Sequence, residues 1–190
     1  MRLNLGSGSK PKDGYLNVDL DGWPGVDEIV DLNVLPWPWE DDSVESVFAQ
    51  DSLEHLCPLG RSMGQMNIIA IIQEIWRILL PGGVAELIVP STDGRGAFMD
   101  PTHVTYWNAN TFLYFLGMEN GRELNYPQFI VPGLNFGVKA HRENETECVW
   151  VVARIKKPVG DEEDGRESTE SGDSEGTGED ELRQPDGESG

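Results

Sequence analysis

Residues 67–80 read Asn-Ile-Ile-Ala-Ile-Ile-Gln-Glu-Ile-Trp-Arg-Ile-Leu-Leu. Ala70, Gln73, Glu74 and Arg77 make a single less apolar stripe at helical spacing, and nearly everything else is Ile, Leu or Trp. A helix of this kind must be buried on most sides. Pro81-Gly82-Gly83 predicts its end, since proline disfavours helix in the residue before it and glycine leaves a helix easily. Strand-like runs at 44–49 and 84–89 flank it. Strand, buried helix, strand is a crossover unit, and it commits the chain to an α/β fold with a parallel sheet.

Further strands are expected at 2–5, 15–19 and 28–31, and a shorter helix at 109–116. The runs 134–140 and 147–156, on either side of the polar turn 141–146, predict a hairpin. A terminal hairpin on a parallel sheet gives a mixed sheet. Only residues 6–14 separate the first two strands, and Pro11 and Gly14 oppose a covering helix there. One face of the sheet is therefore expected to be thinly covered.

The chain has 190 residues and a formal charge of −20. Residues 158–190 hold 13 Asp and Glu against two Arg, a net −11, with no aromatic residue and Leu182 as the only large aliphatic after Val159. Such a segment cannot offset its ordering entropy, so a disordered acidic tail is expected at 158–190 and one domain at 1–157. The −9 that remains on the domain gives no general attraction to a polyphosphate. A small-molecule or saccharide partner is expected rather than a nucleic acid. Cys57 and Cys148 show no pairing pattern, and the N-terminus enters a strand at once, without a signal peptide. The longest apolar run is broken by Gln73, Glu74 and Arg77. A cytoplasmic protein with no membrane association is the expectation, and a homodimer would close the thin face.

Leu3 and Leu5 alternate into Gly6-Ser7-Gly8, a strand opening into a glycine turn where a ligand can approach the backbone. The next strand ends on Asp19, an acidic tip suited to a ribose diol because a carboxylate accepts two hydroxyl hydrogen bonds. A nicotinamide site would need a third glycine at position 11, which is Pro.

The ordered set Leu3-Asn-Leu-Gly-Ser-Gly-Ser-Lys-Pro11, Gly14-Tyr-Leu-Asn-Val-Asp-Leu20, Asp31-Leu32, Leu35-Pro-Trp-Pro-Trp-Glu-Asp-Asp-Ser43, Asp51-Ser-Leu-Glu-His-Leu56 and Leu80-Pro-Gly-Gly83 resembles the class I S-adenosylmethionine-dependent methyltransferases. It looks most like the small bacterial and phage type 11-like group. The resemblance implies a Rossmann-like mixed sheet of about seven strands in the order 3-2-1-4-5-7-6, the last antiparallel, with reduced helices in the first half. It implies S-adenosyl-L-methionine as cofactor and a methyl transfer to an oxygen or nitrogen nucleophile. Gly6, Ser7 and Gly8 would pass under its methionyl part, and Asp19, with Leu20 beside it, would bind the ribose. Asp31 and Leu32 would bracket adenine. Gln50 and Asp51 would face the sulfonium and amino group. The alternative function is a catalytically inactive protein of the same fold, acting through contacts.

Candidate catalytic groups are His103, Asp100, Asp51 and His55. The segment 93–107 follows the fifth strand, at the sheet edge where open α/β sheets bind ligands, and Asp100-Pro-Thr-His103 resembles a stretch of the same group. His103 or Asp100 would take a proton from an acceptor. Base-methylating signatures are missing: Gln50-Asp-Ser-Leu53 stands where an aromatic-ended Pro-Pro run belongs, and the order is Cys57-Pro58, not Pro-Cys. His55 and Cys57, with Asp51, lack the spacing of a metal site, and no metal is expected. Trp37 and Trp39 are expected to pack over the thin face, because Glu40-Asp41-Asp42 follow them rather than the basic residues a nucleic acid would want.

Overall fold

The computed structural model describes residues 1–57, 67–116, 118–119, 122–123, 134–143 and 146–159. Seven strands form one sheet: β1 (Arg2–Leu5), β2 (Leu16–Asp19), β3 (Glu28–Ile29), β4 (Val44–Gln50), β5 (Leu79–Pro90), β6 (Leu134–Glu143) and β7 (Thr146–Lys156). Their order is β3-β2-β1-β4-β5-β7-β6. The pairs from β3 through β5 are parallel, and β7 runs antiparallel to both β5 and β6. This is the mixed Rossmann-like sheet expected. Two short strands, Met118–Glu119 and Arg122–Glu123, pair with each other outside it.

The register explains the packing. Val18, Leu5, Ala49, Leu87 and Ala153 lie side by side across five strands, and all are fully buried. The helix α1 (Asn67–Ile78) supplies Ile71, Ile72, Ile75 and Ile78 to the same core. One residue along, the opposite face carries Asn17, Asn4, Phe48, Glu86 and Arg154. It is closed by polar contacts: Asn4 Nδ2 donates to Asn17 Oδ1 at 2.9 Å, Arg154 pairs with Glu86 at 2.6 Å, and the Lys12 ammonium sits 4.1 Å from the Phe48 ring centroid. The thin face lacks a covering helix from 6–14, and polar chemistry takes the helix's place.

Two expectations need correction. The helix ends at Ile78, and Leu79 already pairs with Val44 as the first residue of β5. Pro81-Gly82-Gly83 therefore lies inside a strand, at a register shift between Val44 and Ser46, where a missing N–H is tolerated. Gly82 N–H donates to Lys157 O at 2.8 Å and Lys157 N–H to Gly83 O at 3.0 Å, so the end of β7 holds this segment extended. The third strand is also shorter than expected, ending at Ile29, so Asp31 and Leu32 lie past its end.

The polar stripe of α1 is not a solvent face. Glu74 is buried, accepts the Trp37 N–H at 2.7 Å and pairs with Arg77 at 2.6 Å. Trp37 and Trp39 are both buried, 6.0 Å apart edge to face. The helix expected at 109–116 divides into α3 (Ala109–Leu113) and a 3-10 turn at Tyr114–Leu116, and a further short helix, α2 (Gly96–Met99), precedes it. The hairpin strands run three residues further on one side and one on the other than expected, and residues 144–145 of its turn lie outside the description. So do residues 160–190, and with them nearly all of the expected tail. Among the described residues no helix is long and apolar enough to cross a membrane.

Candidate functional site

Strand order reverses beside β1: β2 continues on one side and β4 on the other. A crevice opens at the carboxyl ends of strands where this happens. Here it is a cleft of about 330 Å³ bordered by Gly6, Gly8, Asp19, Asp31, Asp51 and His55, among others. Leu20 and Leu32 also border it. Ser7 and Gln50 border a neighbouring hollow of about 240 Å³, with Lys10, Lys12 and Phe48, that shares Gly6 and Asp51 with the cleft. The residues expected to face a cofactor therefore divide between two adjoining recesses.

The loop after β1 is held by the tip of β2. Gly8 N–H donates to Asp19 Oδ2 at 2.7 Å, and Ser7 N–H donates to Val18 O at 3.0 Å. Asp19 Oδ1 accepts from Asp21 N–H at 3.2 Å. Gly6, at φ +65°, also meets a demand made by the protein itself. A Cβ there would stand 2.3 Å from the Cβ of Ser52, so its close approach is to protein. Ser52, whose hydroxyl donates to Leu5 O at 3.0 Å, carries no signal in the sequence for this role. Asp31 Oδ1 accepts from the N–H and the side-chain amide of Asn33, and Asn33 Oδ1 accepts from Cys57 N–H at 2.7 Å. Leu32 is buried, and its carbonyl accepts the Trp37 indole N–H.

Asp51 sits just past β4 with φ +51°. A non-glycine residue in the left-handed region is strained, though Asp tolerates it better than most, and such strain gathers at functional sites. Its Oδ1 accepts the Trp150 indole N–H at 2.8 Å, and its Oδ2 accepts from the Gln50 amide at 3.2 Å.

On the far wall, the 3-10 turn Leu53–His55 meets the loop 100–105. Val104 and Thr105 both donate their N–H to Glu54 O, at 2.9 and 3.0 Å. This brings His55 and His103 together, ring centroids 4.9 Å apart and edge-on. Only His55 borders the cleft; the His103 side chain is 6 % exposed and lies behind it. The other two candidates divide as well: Asp51 borders the cleft, whereas Asp100 does not and is joined to His55 only through the Thr102 hydroxyl. Asp100 is held below the usual carboxylate range by the hydroxyl and N–H of Thr102. Glu54, next to His55, is 1 % exposed, and burial pushes its carboxyl up to about 8.

No family model matches this chain, and no curated protein sequence does. Solved structures do. A SAM dependent methyltransferase from Archaeoglobus fulgidus is 12 % identical, with 82 % of this chain and 85 % of that one covered, at a TM-score of 0.55. The YcgJ protein from Bacillus subtilis is 12 % identical over 84 % of this chain and 92 % of its own, at 0.54. The [4+2]-cyclase SpnF is 15 % identical over 84 % and 74 %, also at 0.54. The chain thus has the fold of the class I S-adenosylmethionine-dependent methyltransferases. The cyclase among its neighbours is a reminder that a fold hosts more than one chemistry.

Proposed function

We propose that this chain is an S-adenosylmethionine-dependent methyltransferase, of the small type 11-like group its motifs resemble, acting in the cytoplasm on an oxygen or nitrogen nucleophile. The observation that carries the reading is the Gly8–Asp19 hydrogen bond on the wall of a cleft whose rim also holds Asp31 and Asp51. A glycine loop pinned to an acidic strand tip prepares a diol site, and carboxylates on the rim suit a cation.

The residues fit the cofactor. Asp19 spends one hydrogen bond per oxygen on backbone N–H groups, and each oxygen retains a lone pair for a ribose hydroxyl. Asp31 accepts from the adenine amine, with Leu32 beside it. The buried Ser7 hydroxyl, which has no partner among the described residues, gives the loop one more polar contact to offer. Asp51, oriented by Trp150, lies where the sulfonium and amino group would be neutralised. Bound there, S-adenosylmethionine would supply an electrophilic methyl group on a positive sulfur.

The remaining task is alignment, which accounts for most of the rate in such transfers. We place the acceptor against Asp51 and His55, the two candidate groups on the cleft wall, with Asp100 and His103 as positioning residues behind them. The acidic rim favours a small neutral or cationic acceptor, or a saccharide, over a polyanion.

Thermal denaturation with S-adenosylhomocysteine tests this. At a hundredfold excess over Kd the native state gains about 2.7 kcal/mol, a rise in Tm of roughly 5–10 °C. No shift at millimolar ligand would overturn the reading and leave a protein that keeps the fold without the cofactor.

A further inference from the structure

We propose that Glu54, His55 and His103 together bind one divalent transition-metal ion, with zinc the expected occupant. One ligand-capable atom of each residue lies within 4.8 Å of those of the other two. The site belongs to the wall behind the cleft, and its existence does not depend on the methyl-transfer reading.

Proton placement supports it. A carbonyl can only accept, so His103 Nδ1, 2.8 Å from Ala97 O, carries the hydrogen and leaves the Nε2 lone pair facing Glu54. A hydroxyl has one hydrogen, and Thr102 gives its own to Asp100 Oδ1 at 2.6 Å. Thr102 Oγ1, 3.1 Å from His55 Nδ1, must therefore accept from that ring, and the His55 Nε2 lone pair is left over. Both imidazoles are thus fixed through Nδ1–H to an oxygen, the arrangement that orients metal-ligating histidines.

The carboxylate supports it independently. Neither oxygen of Glu54 has a hydrogen-bond partner on another described residue, although the side chain is almost wholly buried. His103 Nε2 stands 3.8 Å from Glu54 Oε1, too long for a hydrogen bond. Asp51 and Asp100 add negative potential to the same place. A buried carboxylate in that field needs a proton or a cation. Two imidazoles and a carboxylate suit zinc or another borderline ion. Metal bonds of about 2.0–2.2 Å put neighbouring ligand atoms roughly 3.3–3.6 Å apart in a tetrahedron, so binding would draw an edge of 4.8 Å in by about 1.2–1.5 Å.

The test uses the full chain, stripped with a chelator and titrated with Co²⁺, with Zn²⁺ as competitor. One Co²⁺ per chain is expected, with visible ligand-field bands and no thiolate charge-transfer band that would point to Cys57 or Cys148. The chain has three histidines. His55→Ala and His103→Ala should each abolish the bands, and His141→Ala should leave them unchanged. Thr102→Val, which removes only the oxygen behind His55, should weaken binding about 10–100-fold. Glu54→Gln keeps the shape of the side chain, so it serves if a histidine variant fails to fold, and should weaken binding at least about tenfold. Absence of saturable binding by the unmodified chain at millimolar metal would overturn the proposal. So would full binding by Glu54→Gln and Thr102→Val; the carboxyl would then be satisfied by a proton.

Discussion

Trp150, in the last strand of the sheet, donates its indole N–H to the carboxylate of Asp51, 99 positions earlier in the chain. Asp51 is held in a left-handed backbone conformation at the tip of β4, and this bond fixes which way its carboxylate points. Orientation and strain can be separated experimentally. Trp150→Phe keeps the ring and loses the donor, and should weaken S-adenosylhomocysteine binding about tenfold by calorimetry, near the 1.5 kcal/mol of a bond to a charged group. Asp51→Gly relieves the positive φ. It should leave Tm unchanged or higher, since glycine adopts that conformation at no steric cost, while binding falls further than in Trp150→Phe.

The two glycines of the first loop should differ in cost. Gly6→Ala meets Ser52 at 2.3 Å and carries the positive φ as well, so a loss of about 2–5 kcal/mol is expected. Gly8→Ala, at φ +50° with nothing within 4 Å of the new Cβ, should cost about 1–2 kcal/mol. Urea denaturation ranks them, and a larger loss at Gly8 would contradict the packing described.

Asp19 has two roles that two substitutions distinguish. Asp19→Asn can still accept from Gly8 N–H, so stability should change little while cofactor affinity drops by about 1.5–3 kcal/mol. Asp19→Ala should lose both, because the loop loses its tether. Equal affinity of Asp19→Asn and the unmodified protein would remove Asp19 from the site.

Glu54 makes the metal-free protein pH-sensitive. Its carboxyl titrates near 8 when folded and near 4.5 when unfolded, so the native state binds the proton more tightly. Stability is therefore greatest below about 4.5 on this account and falls as pH rises toward 8, by roughly 3–5 kcal/mol at full effect. The groups facing it are His103 and His55, with Asp51 and Asp100 adding repulsion. With chelator present, Glu54→Gln should flatten the urea midpoint between pH 5 and pH 8, and an unaltered slope would place the carboxylate in a wetter setting.

Strand positions and the acidic strand tips were legible because they depend on short local patterns, whereas the strand order came from the resemblance. Alternation marks a strand, the tip is its last residue, and Asp19 falls there without any tertiary information. The stop at Pro81 misled for a tertiary reason: Val44 on one side and Lys157 on the other keep that segment extended against its own turn propensity. Gly6 was legible as a site of close approach, but its neighbour was not, since Ser52 comes from another strand's end. The pairing of Glu54 with His103 spans 49 positions, and no local spacing announces it. His103 read as a base for the acceptor because it follows the fifth strand at the binding edge of the sheet, whereas Val104 and Thr105 tie this segment to the turn at Glu54.

The bond from Trp150 also sets an order of assembly during synthesis. The glycine loop, Asp19 and Asp31 leave the ribosome within the first fifth of the chain, and Asp51 soon after. The residue that aims Asp51 emerges only with β7, the last strand of the sheet in chain order. A nascent chain can therefore present every acidic group of the cleft long before it can arrange them. Competence for ligand would arrive in a single late step, when the antiparallel strand docks.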